Sequence, residues 1–419
     1  MPNKLAIKGG ESTIMAPDPH YVWPKITGKT KESVLKQLDE SISIYDRTGI
    51  IEKLENRLAR YHGKKHALLT NSGTSAIHSM YVAAGLKESD EVICPAYTFH
   101  ATVTPLFFTG AVPVLADCKS DGNIDPKEVE RKITTNTRAI VVTHMWGKPC
   151  DMGPLEMIAK ENNLLLFEDA SHAHGATYKG RITGSFGDAS AFSLQAQKTL
   201  TGGEGGFLLT DDDELFYKAL LFGHYNKRCK KEIPQEHPLQ KYFVTGMGLK
   251  LRIHPLAAAI AQEQFDNLEC VLTGRRRIAN KIISQLSGLP GIHFPQAENK
   301  ETTNSWYALI IQYKPEELHG LPINLFYEAL VAEGCRELDR PASTSPLNYH
   351  PLFQNPEQMF PRYKGKLAYK RGDFAHSESF YKNALKLPVW HDPDDEKIAQ
   401  QYADAFKKVI ENHLELLTK

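Results

Sequence analysis

The sequence predicts an α/β fold: one sheet of about seven strands with helices covering it. Two observations carry this. From about Thr48 onward, short apolar runs alternate with amphipathic segments, the pattern of a sheet sandwiched by helices. Each apolar run has the length of a single buried strand, and the intervals between runs hold a helix or a tight connection. With 419 residues, 41% of them hydrophobic, the chain can bury a large core without disulfide or metal staples.

Taken in order, "GIIEKLENRLARYHG" reads as a helix that stops at Gly63. "HALLT" follows as a strand. "SGTSAIHSMYVAAGL" is a helix capped near Ser72, with Ile77, Met80, Tyr81 and Ala84 on one face. The runs "EVICP", "AVPVLAD", "RAIVVTH", "NLLLFED", "SAFSL" and "GFLLT" complete the seven strands. The uncharged stretch from Val92 to Ala116 is long enough to span a bilayer, but Pro95, Pro105, Pro113 and Gly110 interrupt it. It reads instead as strand, loop, short helix and strand.

The stretch "HPLAAAIAQEQFDNLECVLTGRRRIANKIISQL" is helix-rich and leads out of the sheet. Beyond it, "WYALIIQY", "INLFYEALVAEG" and "KIAQQYADAFKKVIENHLELL" suggest a smaller α+β unit. The expected division is an N-terminal arm at 1–30, a large domain at 31–275 and a small C-terminal domain at 276–419. No repeat or low-complexity segment is visible.

Lysine plus arginine balances aspartate plus glutamate at 50 each. No overall field therefore draws nucleic acid or an acidic membrane, and the expected partners are small molecules. Cys94, Cys118, Cys150, Cys229, Cys270 and Cys335 are scattered without a C-x-x-C pair, as in a protein of the reducing cytoplasm. The opening residues have no continuous apolar stretch of the kind a signal peptide carries.

The segment "SLQAQKTLTGGEGG" places Lys198 just before a run of glycines. A lysine there fits a phosphate clamp, a covalent catalyst or a solvated charge. A nucleotide-binding P-loop is disfavoured, because its lysine follows the glycines. Asp169 in "FEDASHAHGA" ends an apolar run, which puts it at the carboxyl end of a buried strand, where open α/β sheets bind ligands. Gly73 and Thr74 open a helix, whose free N–H groups and positive dipole end suit a phosphate. His172 and His174 stand at metal-pair spacing, yet no third ligand accompanies them, so no metal is expected. Phosphate cradle, strand-end carboxylate and a lysine on a turn are what pyridoxal 5′-phosphate (PLP) requires. The lysine forms the Schiff base, the aspartate keeps the pyridine nitrogen protonated, and the cradle anchors the cofactor.

The series "SGTSA … PAYTFHAT … EDASHAHGA … FSLQAQK … GEGG", together with the "LPVWHDPDDEKIAQ" ending, resembles the DegT/StrS family of PLP-dependent aminotransferases. That resemblance implies fold type I, with a mostly parallel seven-stranded sheet, and amino transfer from an amino acid, glutamate or glutamine, to a keto-sugar, keto-cyclitol or related ketone. It implies Lys198 as the Schiff-base lysine and Asp169 as the carboxylate at the pyridine nitrogen. Phe99 would stack on the cofactor and His172 would lie near its phenolic oxygen. Ser193 and Gln195 would sit beside phosphate and cofactor, with Gly73 and Thr74. Plain core packing also fits Phe99, and either a core or a pocket position fits Tyr349 and His350. In "GMGLKLRIHPLAAAIA", Lys250 stands where the family has an asparagine that reaches the neighbouring subunit's cofactor phosphate. The implied enzyme is a homodimer with shared sites. Two alternatives are a PLP-dependent sugar dehydratase of the same fold, which retention of Lys198 argues against, and a non-catalytic PLP-binding regulator, for which no basic helix-turn-helix pattern is present.

Overall fold

All seven apolar runs form strands of one sheet in the computed structural model, which describes residues 4–417. These are β1 (His66–Thr70), β2 (Glu91–Pro95), β3 (Val112–Ala116), β4 (Thr137–Thr143), β5 (Leu165–Asp169), β6 (Ala189–Ser193) and β7 (Gly206–Thr210). Their order across the sheet is β1-β7-β6-β5-β4-β2-β3. Neighbours from β6 through β3 are parallel, whereas β7 runs antiparallel between β1 and β6. Because helices cover both faces, the strands are apolar along nearly their whole length rather than alternating.

The covering helices include α1 (Gly28–Glu40), α2 (Gly49–His62), α3 (Gly73–Ala83), α4 (Met152–Glu161), α5 (Asp213–Gly223) and α6 (Pro255–Asp266). Helix α2 stops at Gly63, whose φ of 65° is left-handed, the glycine stop that its sequence predicts. Helix α3 starts at Ser72, whose hydroxyl accepts from Ser75 N–H. On one face of the sheet, Met80 and Tyr81 of α3 and Leu220 of α5 pack with Phe167 and Leu208. On the other, Leu54 and Leu58 of α2 and Ala258 of α6 pack with Leu69, Phe192 and Phe207. Burying each such large side chain contributes about 1.5–3 kcal/mol.

A second core surrounds the antiparallel sheet of β8 (Ile292–His293), β9 (Leu309–Tyr313) and β10 (Ala384–Leu387). Side chains of α7 (Leu268–Leu286), α8 (Ile323–Ala332) and α9 (Glu396–Glu411) fill it, among them Ile278, Phe326 and Phe406. Helix α7 runs unbroken through residues 275 and 276. The N-terminal stretch joins this second core through Leu5 and Ile14. It is pinned there by Glu333, which accepts from Ala6 N, Thr13 N and Thr13 Oγ1. Residues 347–374 turn back to the large sheet, where Leu347, Phe353 and Tyr363 join the core around α3. Leu347 N–H donates to the Ala96 carbonyl at 2.8 Å, tying the two units together.

Val92 to Ala116 divides into β2, a helical turn at His100–Thr102, a short helix at Leu106–Thr109 and β3. Among the described residues no helix is long and apolar enough to cross a membrane. All six cysteines are free thiols, and five are buried.

Candidate active site

The sheet order sets β4, β5 and β6 side by side, so Thr143, Asp169 and Ser193 end together at one edge. Asp169 is buried and its two oxygens are separately held. Thr102 Oγ1 donates to Oδ2 at 2.6 Å, and the N–H of Ser171 donates to Oδ1 at 3.1 Å. Thr102 is itself joined to Thr98 and Thr143 through their hydroxyls. The carboxylate is therefore fixed in direction before any ligand arrives, and hydrogen bonds of this charge-assisted kind are the stronger ones.

Beside it, the first turn of α3 lies unusually close to the strands. A Cβ added at Gly73 would stand 2.7 Å from Ser193 Cβ, and one at Gly206 would stand 2.5 Å from Gly73 N. Only glycine at both positions lets α3 open directly over β6 and β7. Its free N–H groups and positive dipole end face the cavity where Ser72, Gly73 and Thr74 line it. The Ser193 hydroxyl accepts from Gln195 N–H at 3.2 Å, which folds the chain after β6 back toward this end.

That turn carries Lys198. Its N–H donates to the Gln195 carbonyl at 2.8 Å, and its own carbonyl accepts from Trp23 Nε1 at 3.0 Å. The amine lies 4.7 Å from the centre of the Tyr307 ring. Burial lowers its pKa to about 8, against the opposing pull of the Asp169 carboxylate. A lysine near that value is partly neutral at physiological pH, as a nucleophile or proton carrier needs to be. After it, "TGGEGG" passes close under α6 and its approach. Gly205 has φ 146°, and a Cβ there would press on Ile253 Cδ1 at 2.8 Å.

The remaining wall is aromatic. His172 stacks on Tyr307 with ring centres 4.1 Å apart, and lies 5.5 Å from Trp146. Burial, then the nearby Lys198 charge, holds His172 well below its ordinary pKa, so it is neutral. Its Nδ1 accepts from Trp146 N–H at 3.4 Å, which leaves the proton on Nε2. His174 has a structural task. One ring nitrogen bonds the Ser193 carbonyl at 2.9 Å, and burial pushes its pKa down to about 3.

One cavity of about 420 Å³ gathers Gly73, Thr74, Phe99, Asp169, His172, Ser193, Gln195 and Lys198. Phe99 is 39% exposed there rather than part of the core. Lys250 does not line the cavity; it is exposed on a separate loop. Tyr349 and His350 also lie outside it, bonded to Glu378 and Ser345. Sequence reasoning did not find Thr102, Trp146, Tyr307, Ser343, Thr344 or Lys386, which also line the cavity or hold its carboxylate. Thr102 carries a local signal, three residues after Phe99. The others come from distant segments with no motif of their own.

The donor set fits PLP: N–H groups opening a helix for a phosphate, a fixed carboxylate for a pyridinium, an amine of lowered pKa, and flat rings on the walls. When bound, PLP supplies an electron-withdrawing ring that lets an amino acid's α-carbon give up its proton. The residues that would hold such a ring are Asp169, His172 and Phe99, and the amine with a pKa lowered to about 8 is Lys198.

Comparison with known proteins agrees with this geometry. The model of the DegT/DnrJ/EryC1/StrS aminotransferase family matches residues 25–404. A relative named GDP-perosamine synthase, from Escherichia coli O157:H7, is 33% identical over 71% of this chain and 79% of its own length. The L-glutamine:2-deoxy-scyllo-inosose aminotransferase of Streptomyces kanamyceticus is 32% identical over 84% of this chain and 83% of its own. Among solved structures, the Helicobacter pylori aminotransferase PseC, involved in the biosynthesis of pseudoaminic acid, superposes with a TM-score of 0.79 at 26% identity. That match covers 94% of this chain and 99% of PseC. With its sheet order, strand-end aspartate and poised lysine, this chain belongs to the DegT/DnrJ/EryC1/StrS family of PLP-dependent aminotransferases.

Proposed function

We propose that this aminotransferase moves an amino group from L-glutamine or L-glutamate to the ketone of a sugar or cyclitol. The observation that carries the reading is Lys198, an amine with pKa near 8, beside the buried Asp169 and the open first turn of α3. The relatives named for a perosamine product and a 2-deoxy-scyllo-inosose acceptor support the acceptor class, and the second also supports glutamine as donor.

In this reading Lys198 bears the cofactor and shuttles the proton taken from the donor's α-carbon. Asp169 pairs with the cofactor's ring nitrogen, oriented by Thr102 and Ser171. The Nε2–H of His172 would be free to donate to the phenolic oxygen, Phe99 would pack on the ring, and Gly73, Thr74, Ser193 and Gln195 would receive the phosphate end. Residues 31–275 form the cofactor-holding domain and 276–419 the smaller one, the last two lying outside the described residues, with α7 shared between them. The compartment is the reducing cytoplasm, in keeping with six free thiols.

The working form is a homodimer. Apolar side chains left exposed at Ile26, Leu35, Leu38, Val244, Met247 and Leu249 support this, since a monomer seldom leaves so many uncovered. Lys250 stands in the same exposed loop as the last three, clear of its own cavity, and reaches the neighbour's phosphate as a point charge. Mixing Lys198→Ala with Lys250→Ala protein tests the shared site: hybrid dimers hold one intact site and regain activity, whereas verified exchange without recovery refutes it.

The reaction itself is tested by loading the protein with pyridoxamine phosphate and screening keto-sugars and keto-cyclitols for return of the aldehyde absorbance. Return with a member of either class supports the reading. Return only with simple keto acids contradicts it.

A further inference from the structure

An amino donor brings a carboxylate as well as an amine. Among the described residues on the cavity wall, the one lysine or arginine besides Lys198 is Lys386 of β10. His172 is neutral, as shown above, and the acidic lining residues Asp169 and Glu204 repel a carboxylate. Lys386 stands where two cavities meet. There the cavity adjoins a second chamber of about 480 Å³, with Gln197, Tyr307 and Lys386 common to both. None of Ser72, Gly73, Thr74 or Ser193 lines that second chamber, whereas Lys386 lines both. Lys386 and His172 line the same cavity.

At rest Lys386 is occupied by a substitute. Its Nζ lies 2.8 Å from Asp339 Oδ2, with the lysine side chain 28% exposed and the aspartate 56% exposed. An exposed pair of this kind is weak, so an incoming carboxylate can replace it at little cost. Asp339 lines the second chamber and not the main cavity, so the lysine can turn between an internal partner and a bound one.

We propose that Lys386 binds the α-carboxylate of the amino donor, exchanging Asp339 for it, and that it releases the carboxylate when the keto product leaves. The proposal rests on the amino-transfer reading above. A sugar or cyclitol ketone has no carboxylate, so Lys386 returns to Asp339 in the second half of the cycle. The same cavity thus accepts an amino acid with a carboxylate beside its reacting carbon and a ring ketone without one in turn.

The test separates the two half-reactions in single-turnover absorbance measurements on the holoenzyme. The probes are L-glutamate, L-glutamine and the α-amide of glutamate. With wild-type protein the α-amide should be weaker than L-glutamate by about 10- to 100-fold, as expected for loss of a charge-assisted contact. Lys386→Met should erase that preference by weakening L-glutamate alone, and Lys386→Arg should retain most of it. Asp339→Asn, which frees the lysine, should tighten L-glutamate a few-fold and serves as a second readout if Lys386→Met folds poorly. If wild-type protein prefers the carboxylate and Lys386→Met, or failing it Asp339→Asn, leaves donor binding unchanged, the assignment of Lys386 is overturned. If wild-type protein reacts with no amino acid, the amino-transfer reading fails instead.

Discussion

In the cofactor-free protein, the Lys198 amine should titrate near pH 8 rather than near its ordinary 10.5, because burial disfavours the ammonium. The consequence is large at working pH. At about pH 7.5 a group of pKa about 8 is about one-quarter neutral, whereas one of pKa 10.5 is about 0.1% neutral, a difference of about 200-fold in available nucleophile. Asp169 opposes the shift, since its negative charge favours the ammonium. Removing that charge in Asp169→Asn should therefore move the titration below 8, not above it. The direction is that of a base: protonated and inert below the midpoint, neutral and reactive above it. The assay is the pH dependence of acetylation of Lys198 in apo-protein under trace reagent, read by peptide mass spectrometry against the exposed lysines Lys29 and Lys36 as internal references. A midpoint near 10.5, or an upward move in Asp169→Asn, would refute the electrostatic account of the site.

Two further outcomes follow from the packing. Gly73→Ala places a methyl 2.7 Å from Ser193 Cβ, and overpacking of this kind costs about 1–3 kcal/mol. PLP titration should show affinity reduced about tenfold or more, with a smaller loss in urea unfolding if the strain is confined to the phosphate end. Arg275, fully buried, donates to Thr199 Oγ1, the Trp306 carbonyl and Tyr21 OH and lies 4.6 Å from the Trp23 ring. Arg275→Met should free residues 21–25 from the Lys198 turn, raising tryptic cleavage at Lys25 and changing Trp23 fluorescence; unchanged cleavage would show that Trp23 Nε1 on the Lys198 carbonyl holds the arm alone.

The sheet was legible in the sequence because each of its strands is buried on both faces, so every one announces itself as an apolar run between turn residues. The order of those strands is not local information: the family resemblance implied a mostly parallel sheet, and the order itself is seen only in the fold. Lys198, Asp169 and Gly73 were legible for a different reason: each sits where a strand or helix begins or ends, and such junctions leave marks in composition. Tyr307 and Lys386 left no such mark. Both lie beyond residue 300, and they reach the cavity only because the small antiparallel sheet packs against the carboxyl edge of the large one. The contact that holds His174, a ring nitrogen on the Ser193 carbonyl, joins two segments 19 residues apart and is not visible in the spacing of the two histidines. Arg275 could be read as a surface charge from "GRRRIAN" and is instead wholly buried. Its partners Tyr21 and Thr199 come from segments far apart in the chain, which no helical periodicity predicts.

The central claim is that Lys198 holds the cofactor, and one measurement tests it most directly. PLP is added to purified protein, the complex is reduced with borohydride, and the digested protein is mapped by mass spectrometry. The account predicts a stoichiometric phosphopyridoxyl group on the peptide that contains Lys198, absent from Lys198→Ala protein. A label of equal yield on another lysine, or an unlabelled Lys198 in protein that still transfers amino groups, would contradict it.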